Sequence, residues 1–400
     1  MSLGQKTILY VFHGKAPEEV RAEKICSSLA NAGFKVVFLC RWFGEQHKRE
    51  EVKGFMISRV GFQYHSLSTI PIPGNPYWTK AIKNHIEEFS PSMIICREML
   101  LMQSCKTAVG NTKIRLILDM AEHYPAAMRE WKKYKSNPLL KFLVHSTSWI
   151  DTIEKNAVKA SDAIITVCEE QIERLHSQYK FKKNRMCIVH NTPESSLFNN
   201  VRKGSSVPPV MFGHHGYFTL ERNLENLVRG FDIAAKKFPE IQLMLSGQGE
   251  TYSDVFCAAQ QLQSKNRIHF TGPYKADDLN ELYSQTDIGI APYAEQEFRQ
   301  FTLPNKAFDY MSCGKPIISS GLQPMKRLLD ETQAGIYGNC SGPEDIAKLI
   351  EKMMQSDVQK MSENGMLSSK AMYTWEHDEK VLIRFISKEL DLPENDDVSH

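Results

Sequence analysis

Short apolar runs alternate with segments of helical periodicity almost throughout this chain of 400 residues. The strand candidates of the first half are TILYVF, KVVFLC, MIICRE, RLILDM, AIITVC and MCIVHN. Between them lie helix candidates such as PEEVRAEKICSSLANAG and TKAIKNHIEEF. Strands separated by helices predict βαβ units, and therefore an α/β fold built on parallel sheets.

The alternation breaks near the middle of the chain, where TPESSLFNNVRKGSSVPPV (residues 192–210) has the composition of a linker. It then resumes with PVMFGHHGYF, IQLMLSG, RIHFTG, DIGIAPY, KPIISS and AGIYG. We therefore predict an α/β domain over residues 1–195, a linker over residues 196–209 and a second α/β domain over residues 210–375. Because parallel sheets bind ligands at the carboxyl ends of their strands, the expected site is the cleft between the two domains.

Composition excludes several classes of protein. A formal net charge of +2 argues against a nucleic-acid partner. The nine cysteines include no CxxC pair, which indicates reduced thiols and a cytoplasmic location. No apolar run approaches the roughly 18 residues of a spanning helix, and the start, MSLGQKTILYVF, lacks a signal-peptide layout. The pair His214 and His215 has no partners at metal-ligand spacing, so we predict no metal site.

The segment FTLPNKAFDYMSCGKPIIS, residues 301–319, reads as a helix with an unusual start. Pro304 is expected at the first helical position and Gly314 just past the last turn. Lys306 then lies in the first turn, where the helix dipole disfavours a cation. Free N–H groups, an amide and a lysine together suit an anion, and phosphate is the commonest one.

The spacing of two other polar residues extends this idea to a nucleotide. Asn305 and Asp309 are four residues apart, about one helical turn or roughly 6 Å. A phosphate at the helix start would place an attached ribose near Asp309, whose carboxylate accepts hydrogen bonds from ribose hydroxyls. Leu303, Ala307 and Met311 would form the buried stripe of the same helix. The alternative is a surface helix whose polar side chains are simply solvated.

LPNKAFDYMSCGKPII resembles the donor-binding motif of the retaining, family 4 glycosyltransferases. Further collinear segments resemble the same family, from SDAIITVCEEQIERL through GYFTLERNLENLVRGFDIAAKKFPEIQLMLSGQGE to YTWEHDEKVLIRFI. The resemblance implies a GT-B fold, in which two Rossmann-like domains with parallel sheets face each other across a cleft. It also implies a closing helix, residues 376–392, that crosses back to the first domain. The implied reaction is glycosyl transfer from a nucleotide-sugar donor to a hydroxyl acceptor.

The chain departs from the family pattern at the phosphates and at the sugar. Phe301 stands where relatives carry a Glu that holds the donor sugar, and Tyr217 stands where they carry a diphosphate-binding Arg. Arg222 stands where relatives carry a second cation, a lysine. Lys306 could replace the missing arginine. Both cations could instead point to solvent. The donor-binding residues implied by the resemblance are His13, Gly14, Gly216, Thr302, Leu303, Pro304, Asn305 and Asp309.

Polar residues at two strand ends of the first domain are candidates for the acceptor side. RLILDMAEHYP carries Asp119, Glu122 and His123, and IICRE carries Arg97 and Glu98. We expect Glu122 and Glu98 to act in catalysis with Arg222 and Lys306. Asp119 could alternatively cap the following helix.

The acceptor is expected to be a saccharide or a lipid-linked glycan. MREWKKYKSNPLLKFL, residues 128–143, combines basic and aromatic residues. Such a segment can contact an anionic membrane surface, although it can also be a solvated helix face. No metal or other cofactor is expected, because protein cations and the helix start would stabilise the diphosphate.

Two other functions fit the same motifs. A nucleotide-sugar epimerase would need the donor but no acceptor, and a non-catalytic relative would bind a glycan or partner without turnover. Phe301 keeps the second alternative open. A dinucleotide dehydrogenase is disfavoured because no G-x-G-x-x-G opens either domain.

Overall fold

The computed structural model describes residues 6–16, 19–44, 46–62, 67–131, 134, 136–198 and 201–391. The chain divides into two compact units. The first unit comprises residues 1–189 and 379–400, and the second comprises residues 190–378. Each unit is an α/β domain with its own sheet and its own apolar core, as the alternation in the sequence predicts.

The first unit contains an eight-stranded sheet in the order β3-β4-β2-β1-β5-β6-β7-β8. Its strands are β1 (Thr7–Val11), β2 (Lys35–Arg41), β3 (Arg49–Val52), β4 (Phe55–Val60), β5 (Met93–Arg97), β6 (Arg115–Asp119), β7 (Ala163–Thr166) and β8 (Met186–Ile188). Strand β3 pairs antiparallel with β4, whereas the other pairs are parallel. β1 and β5 are buried along their whole length, which explains why they read as unbroken apolar runs.

The second unit contains a six-stranded parallel sheet in the order β11-β10-β9-β12-β13-β14. Its strands are β9 (Val210–His215), β10 (Ile241–Ser246), β11 (Ile268–Gly272), β12 (Ile288–Ala291), β13 (Ile317–Ser320) and β14 (Gly335–Gly338). All of them coincide with the runs predicted for the second half. The order places β9 and β12 side by side at the centre, and their carboxyl ends define the edge described below.

Helices connect the strands in both units. They are α1 (Val20–Asn31), α2 (Pro76–Phe89), α3 (Met102–Val109), α4 (Tyr124–Glu130), α5 (Pro138–Lys141), α6 (Trp149–Ala160), α7 (Glu169–Tyr179), α8 (Leu224–Ala234), α9 (Tyr252–Gln260), α10 (Leu279–Gln285), α11 (Asn305–Ser312), α12 (Gln323–Thr332), α13 (Pro343–Met354), α14 (Val358–Met372) and α15 (Trp375–Glu389). No helix among the described residues has the length and apolarity to cross a membrane.

The segment predicted as a linker packs against the second unit. Arg202 donates a hydrogen bond to Asp287 at 2.7 Å, and the Gly204 N–H donates to the Gly314 carbonyl at 2.9 Å. The Thr192 hydroxyl likewise donates to Asp378 at 2.6 Å, in agreement with a division between the units that falls earlier than predicted, after residue 189. The chain returns to the first unit within α15, since residues from 379 onward belong to it.

Candidate active site

Helix α11 lies at the carboxyl edge of the second-unit sheet and begins at Asn305. Pro304 precedes the first helical residue with an extended backbone, one position earlier than the sequence suggests. Gly314 follows the last turn at a φ of 60°, in the left-handed region that favours glycine. The predicted stripe of Leu303, Ala307 and Met311 is buried, so the helix presents its polar residues away from the core.

Lys306 reaches from this helix start to the loop after β9. A Cβ atom at Gly216 would overlap the Lys306 ammonium, so only glycine at position 216 admits this close approach. Gly216 has a φ of 140°, and its N–H donates to the Ser246 carbonyl at 2.8 Å. Lys306 forms no hydrogen bond or ion pair with the described residues. The structure thus brings together two predicted donor-site residues that are 90 positions apart in the sequence.

Burial lowers the pKa of Lys306, and the neighbouring Arg222 lowers it further, while Tyr293 and Asp309 oppose the shift. The guanidinium carbon of Arg222 lies 4.7 Å from the centre of the Tyr293 ring. The Nε of Arg222 is buried and has no hydrogen-bond partner among the described residues. Two cations with spare donors therefore lie near the carboxyl end of β9, which is the arrangement that a bound anion would satisfy.

Sequence reasoning missed Tyr293 and Arg299, which complete this cluster. Tyr293 is fully buried just after β12, and the guanidinium carbon of Arg299 also lies 4.7 Å from its ring centre. Arg299 lies 3.6 Å from Glu221. The sequence carries a weak signal for Arg299, because Arg299 is the nearest basic residue upstream of the motif LPNKAFDY that is expected to bind phosphate.

The two adjacent histidines at the end of β9 are fully buried. His214 donates from Nδ1 to the Ile290 carbonyl at 2.8 Å. Burial, Lys306 and Arg222 hold the pKa of His214 well below its ordinary value. Burial and Lys306 lower the pKa of His215 to about 3. Within the described ranges, no three His, Cys, Asp or Glu side chains group as metal ligands.

Asp309 lies one turn into α11 and is half-buried. The Tyr283 hydroxyl donates to its carboxylate at 3.1 Å. Burial and the Asp309 charge raise the pKa of Tyr274 to about 12. Asn305 is exposed at the helix start, and Thr302 is half-buried just before it. The Tyr283 hydroxyl therefore helps to hold the Asp309 carboxylate in place, and the side chain remains partly accessible.

Phe301 ends a 3₁₀ segment, Glu297–Phe301, and is half-buried. It lies directly before the extended residues Thr302 and Pro304 that lead into α11. An aromatic side chain thus precedes the proposed anion site at the position where the resemblance would place a sugar-holding Glu.

At the carboxyl edge of the first-unit sheet, Asp119 is completely buried at the end of β6. It accepts hydrogen bonds from the Tyr10 hydroxyl at 2.8 Å, from Arg21 Nη2 at 2.8 Å and from Arg97 Nη1 at 3.3 Å. Burial raises the pKa of the Asp119 carboxyl, but Arg21 and Arg97 outweigh it and hold the pKa below its usual value. The carboxylate thus binds two arginines rather than capping a helix, and its position suits a scaffold role.

Glu98 follows β5 in a strained backbone conformation, with a φ of 67°. Its side chain is buried, and Oε2 has no hydrogen-bond partner within the described part of the chain. Burial raises the pKa of Glu98, while Arg97 and the Tyr124 hydroxyl oppose the rise. A strained, desolvated carboxylate with a spare oxygen at a strand end is a candidate ligand contact.

The remaining predicted residues surround the same edge. Glu122 is half-buried, and its carbonyl accepts a hydrogen bond from Gln171 at 3.2 Å. His123 is buried, and burial lowers its pKa to about 4. The ring of His13 lies 5.0 Å from that of Phe12, and a Cβ at Gly14 would overlap the Phe12 ring. Their positions after β1 place His13 and Gly14 at the same carboxyl edge as Arg97.

Two family profiles match the chain and together cover most of it. Residues 19–192 match the family described as Glycosyltransferase Family 4, and residues 210–356 match the family described as Glycosyl transferases group 1. A Haemophilus influenzae protein named "Uncharacterized glycosyltransferase" is 22% identical over 279 residues, which are 70% of this chain and 71% of that protein.

Solved glycosyltransferase structures share the fold. Sucrose-phosphate synthase from Thermosynechococcus elongatus superposes with a TM-score of 0.75 over 97% of this chain and 100% of that chain, at 15% identity. Anabaena HepE in complex with UDP-glucose superposes with a TM-score of 0.68 over 96% of this chain and 99% of that chain, at 14% identity. The chain is therefore a glycosyltransferase with the GT-B fold, as the sequence predicted. Its second half is similar to the group 1 glycosyltransferases over residues 210–356.

Proposed function

We propose that the protein transfers a glycosyl group from a nucleotide-sugar donor to a hydroxyl acceptor, with retention of anomeric configuration and without a metal ion. The observation that carries this proposal is the approach of Lys306 to Gly216 at the carboxyl end of β9, with Arg222 nearby. The departing diphosphate gains charge in the transition state. Preorganised cations at that point stabilise it, which is usually the largest catalytic contribution.

A nucleoside diphosphate is expected to bind without a metal. The relative HepE was solved with UDP and with UDP-glucose, so UDP is the first ligand to test, followed by GDP and ADP. Calorimetry with each ligand, with and without EDTA, measures the dissociation constant. Binding that is undetectable for all three, or that EDTA abolishes, would contradict the proposed phosphate site.

Asp309→Ala is expected to weaken binding of the diphosphate by about 1.5–3 kcal/mol, the loss of a charged hydrogen-bond acceptor for the ribose. Asp330 provides a matched control, because it also accepts a tyrosine hydroxyl, that of Tyr337 at 3.0 Å, but lies on α12. Asp330→Ala should leave the affinity unchanged. Equal affinities of the wild type and a folded Asp309→Ala variant would return Asp309 to the solvated-helix interpretation.

The acceptor hydroxyl is assigned to the first-unit edge, with Glu98 and Glu122 as its contacts and Arg97 and His123 beside them. The spare oxygen of Glu98 supports this assignment, because it can accept a hydrogen bond from the hydroxyl that attacks. Asp119 then positions Arg97, to which it is hydrogen-bonded, rather than touching substrate.

Glu98→Gln is expected to lower turnover by roughly 10- to 100-fold, the loss of a charge-assisted hydrogen bond, and to leave diphosphate affinity unchanged. Because burial raises the pKa of Glu98, this carboxylate protonates at a higher pH than an ordinary glutamate as the solution is acidified. Wild-type turnover should therefore fall early on the acid side, and Glu98→Gln should lack that limb. A pH–rate profile of the variant that matches the wild type in height and shape would remove Glu98 from the site.

Peripheral contact with a membrane remains part of the proposal, with a changed set of residues. Trp131 and Tyr134 pack on the core of the first unit, so they do not form an exposed aromatic face. Leu139 and Phe142 are instead 67% and 58% exposed beside the exposed Lys141. Lys132, Lys133 and Lys135 of the same segment lie outside the described residues. An acceptor carried on a lipid would suit such a surface.

A cytoplasmic location remains a prediction from the scattered cysteines.

A further inference from the structure

Two loops of the second unit run side by side and place residue 222 opposite residue 293. The Ala294 N–H donates to the Glu221 carbonyl at 3.0 Å. The Asn223 side chain donates to the Pro292 carbonyl at 3.1 Å. Since the neighbours on both sides are hydrogen-bonded, the backbone fixes Arg222 next to Tyr293 although 71 positions separate them in the sequence.

The Tyr293 ring contacts two guanidinium groups. The guanidinium carbons of Arg222 and Arg299 each lie 4.7 Å from the ring centre, within the range of cation–π attraction. Tyr293 is fully buried and Arg299 is 7% exposed, so the contact of Arg299 is largely desolvated, whereas that of the half-buried Arg222 is partly desolvated. Arg299 also lies 3.6 Å from Glu221, an ion-pair contact that further restrains its guanidinium group.

The electrostatics of this cluster also indicate that the cations lie close to Tyr293. Burial would raise the pKa of Tyr293, but Arg222, Lys306 and Arg299 outweigh it and hold the pKa below the ordinary value. Three cations therefore lie close enough to act on one phenol. Cations gathered in this way repel each other, and the electron-rich face of a buried ring offsets part of that repulsion.

We propose that Tyr293 is a positioning residue, whose ring holds the Arg222 guanidinium in place for the diphosphate of the donor. The inference rests on the proposed function, because it takes Arg222 as a phosphate contact. Without the ring, the long Arg222 side chain would sample other rotamers, and the binding of donor would have to order it again. The Tyr293 hydroxyl meets the geometric criteria for a hydrogen bond with none of the described residues, whereas the ring contacts both guanidinium groups, so phenylalanine should replace tyrosine.

Calorimetry with the diphosphate that the wild type binds most tightly among UDP, GDP and ADP tests this inference. Tyr293→Leu is expected to weaken binding by roughly 3- to 30-fold, the range of a partly desolvated cation–π contact. Tyr293→Phe should stay within about 3-fold of the wild type, since it keeps the ring. In an Arg222→Ala background, Tyr293→Leu should have almost no additional effect, because the two residues act as one unit.

Phe231→Leu controls for the loss of a buried ring in the same unit, since Phe231 lies on α8 and packs into the core of that unit. It should lower the melting temperature without changing the dissociation constant. If Arg222→Ala weakens binding but Tyr293→Leu does not, or if the two changes are additive, Tyr293 does not position Arg222. If Arg222→Ala itself leaves binding unchanged, the proposed phosphate site is wrong and this inference falls with it.

Discussion

Arg222→Ala is expected to lower kcat by roughly 100-fold or more, the scale seen when one preorganised donor to a developing negative charge is removed. The effect on donor affinity should be smaller, because the diphosphate carries more charge in the transition state than in the bound donor. Lys306→Ala should also reduce turnover. The two losses should not add, because both cations act on one leaving group.

Arg229 offers a matched control for this experiment. It is an arginine of the same unit, but its partner is Glu225 at 2.9 Å on the exposed face of α8. Arg229→Ala should leave kcat within about 2-fold of the wild type, as expected for a surface pair. A full rate in Arg222→Ala and in Lys306→Ala, with folded proteins, would show that neither residue binds the leaving group.

Asp119→Ala is expected to destabilise the first unit by about 3–5 kcal/mol, because it removes a fully buried carboxylate that accepts hydrogen bonds from the buried Arg21 and Arg97. The pKa of Asp119 is depressed, so its contribution is present above the unfolded pKa and is lost as pH falls through the folded pKa. The difference in the free energy of unfolding between wild type and variant should therefore become smaller as the pH is lowered into the acid range. Urea unfolding followed by tryptophan fluorescence reports on this unit, which contains Trp42, Trp78, Trp131 and Trp149.

The exposed pair of Arg49 and Glu88 provides the contrast. Its atoms are also in hydrogen-bond contact, at 2.6 Å, but the two side chains are 50% and 43% exposed. Glu88→Ala should cost less than about 1 kcal/mol. An Asp119→Ala variant as stable as Glu88→Ala would contradict the scaffold role assigned to Asp119.

Much of the fold could be predicted because strands buried on both faces are written as unbroken apolar runs. The hairpin of β3 and β4 was not predicted, because the prediction of strands depends on such apolar runs. Its outer strand, Arg49–Val52, alternates between exposed and half-buried residues and contains no apolar run. Its turn is Lys53-Gly54, with φ values of 50° and 82°, rather than one of the commonest turn pairs.

The candidate site was predictable where it lies within one short motif. Lys306 and Asp309 could be found because helix geometry relates them to the start of α11. Tyr293 and Arg299 could not, because their contacts depend on how two loops distant in sequence pack together. Asp119 illustrates the same limit, because its partner Arg21 is 98 residues away in the sequence. The sequence alone could not distinguish a buried ion pair from a helix cap at this position.

The most direct test of the proposed function is donor consumption by the wild type with a panel of saccharide and lipid-linked acceptors. Nucleotide sugars of the diphosphate that binds in calorimetry serve as donors, and Arg222→Ala serves as the inactive control. We predict that diphosphate release depends on the acceptor, persists in EDTA and is nearly lost in Arg222→Ala. Tight donor binding with no transfer to any acceptor, or conversion of the donor to another nucleotide sugar without an acceptor, would contradict glycosyl transfer.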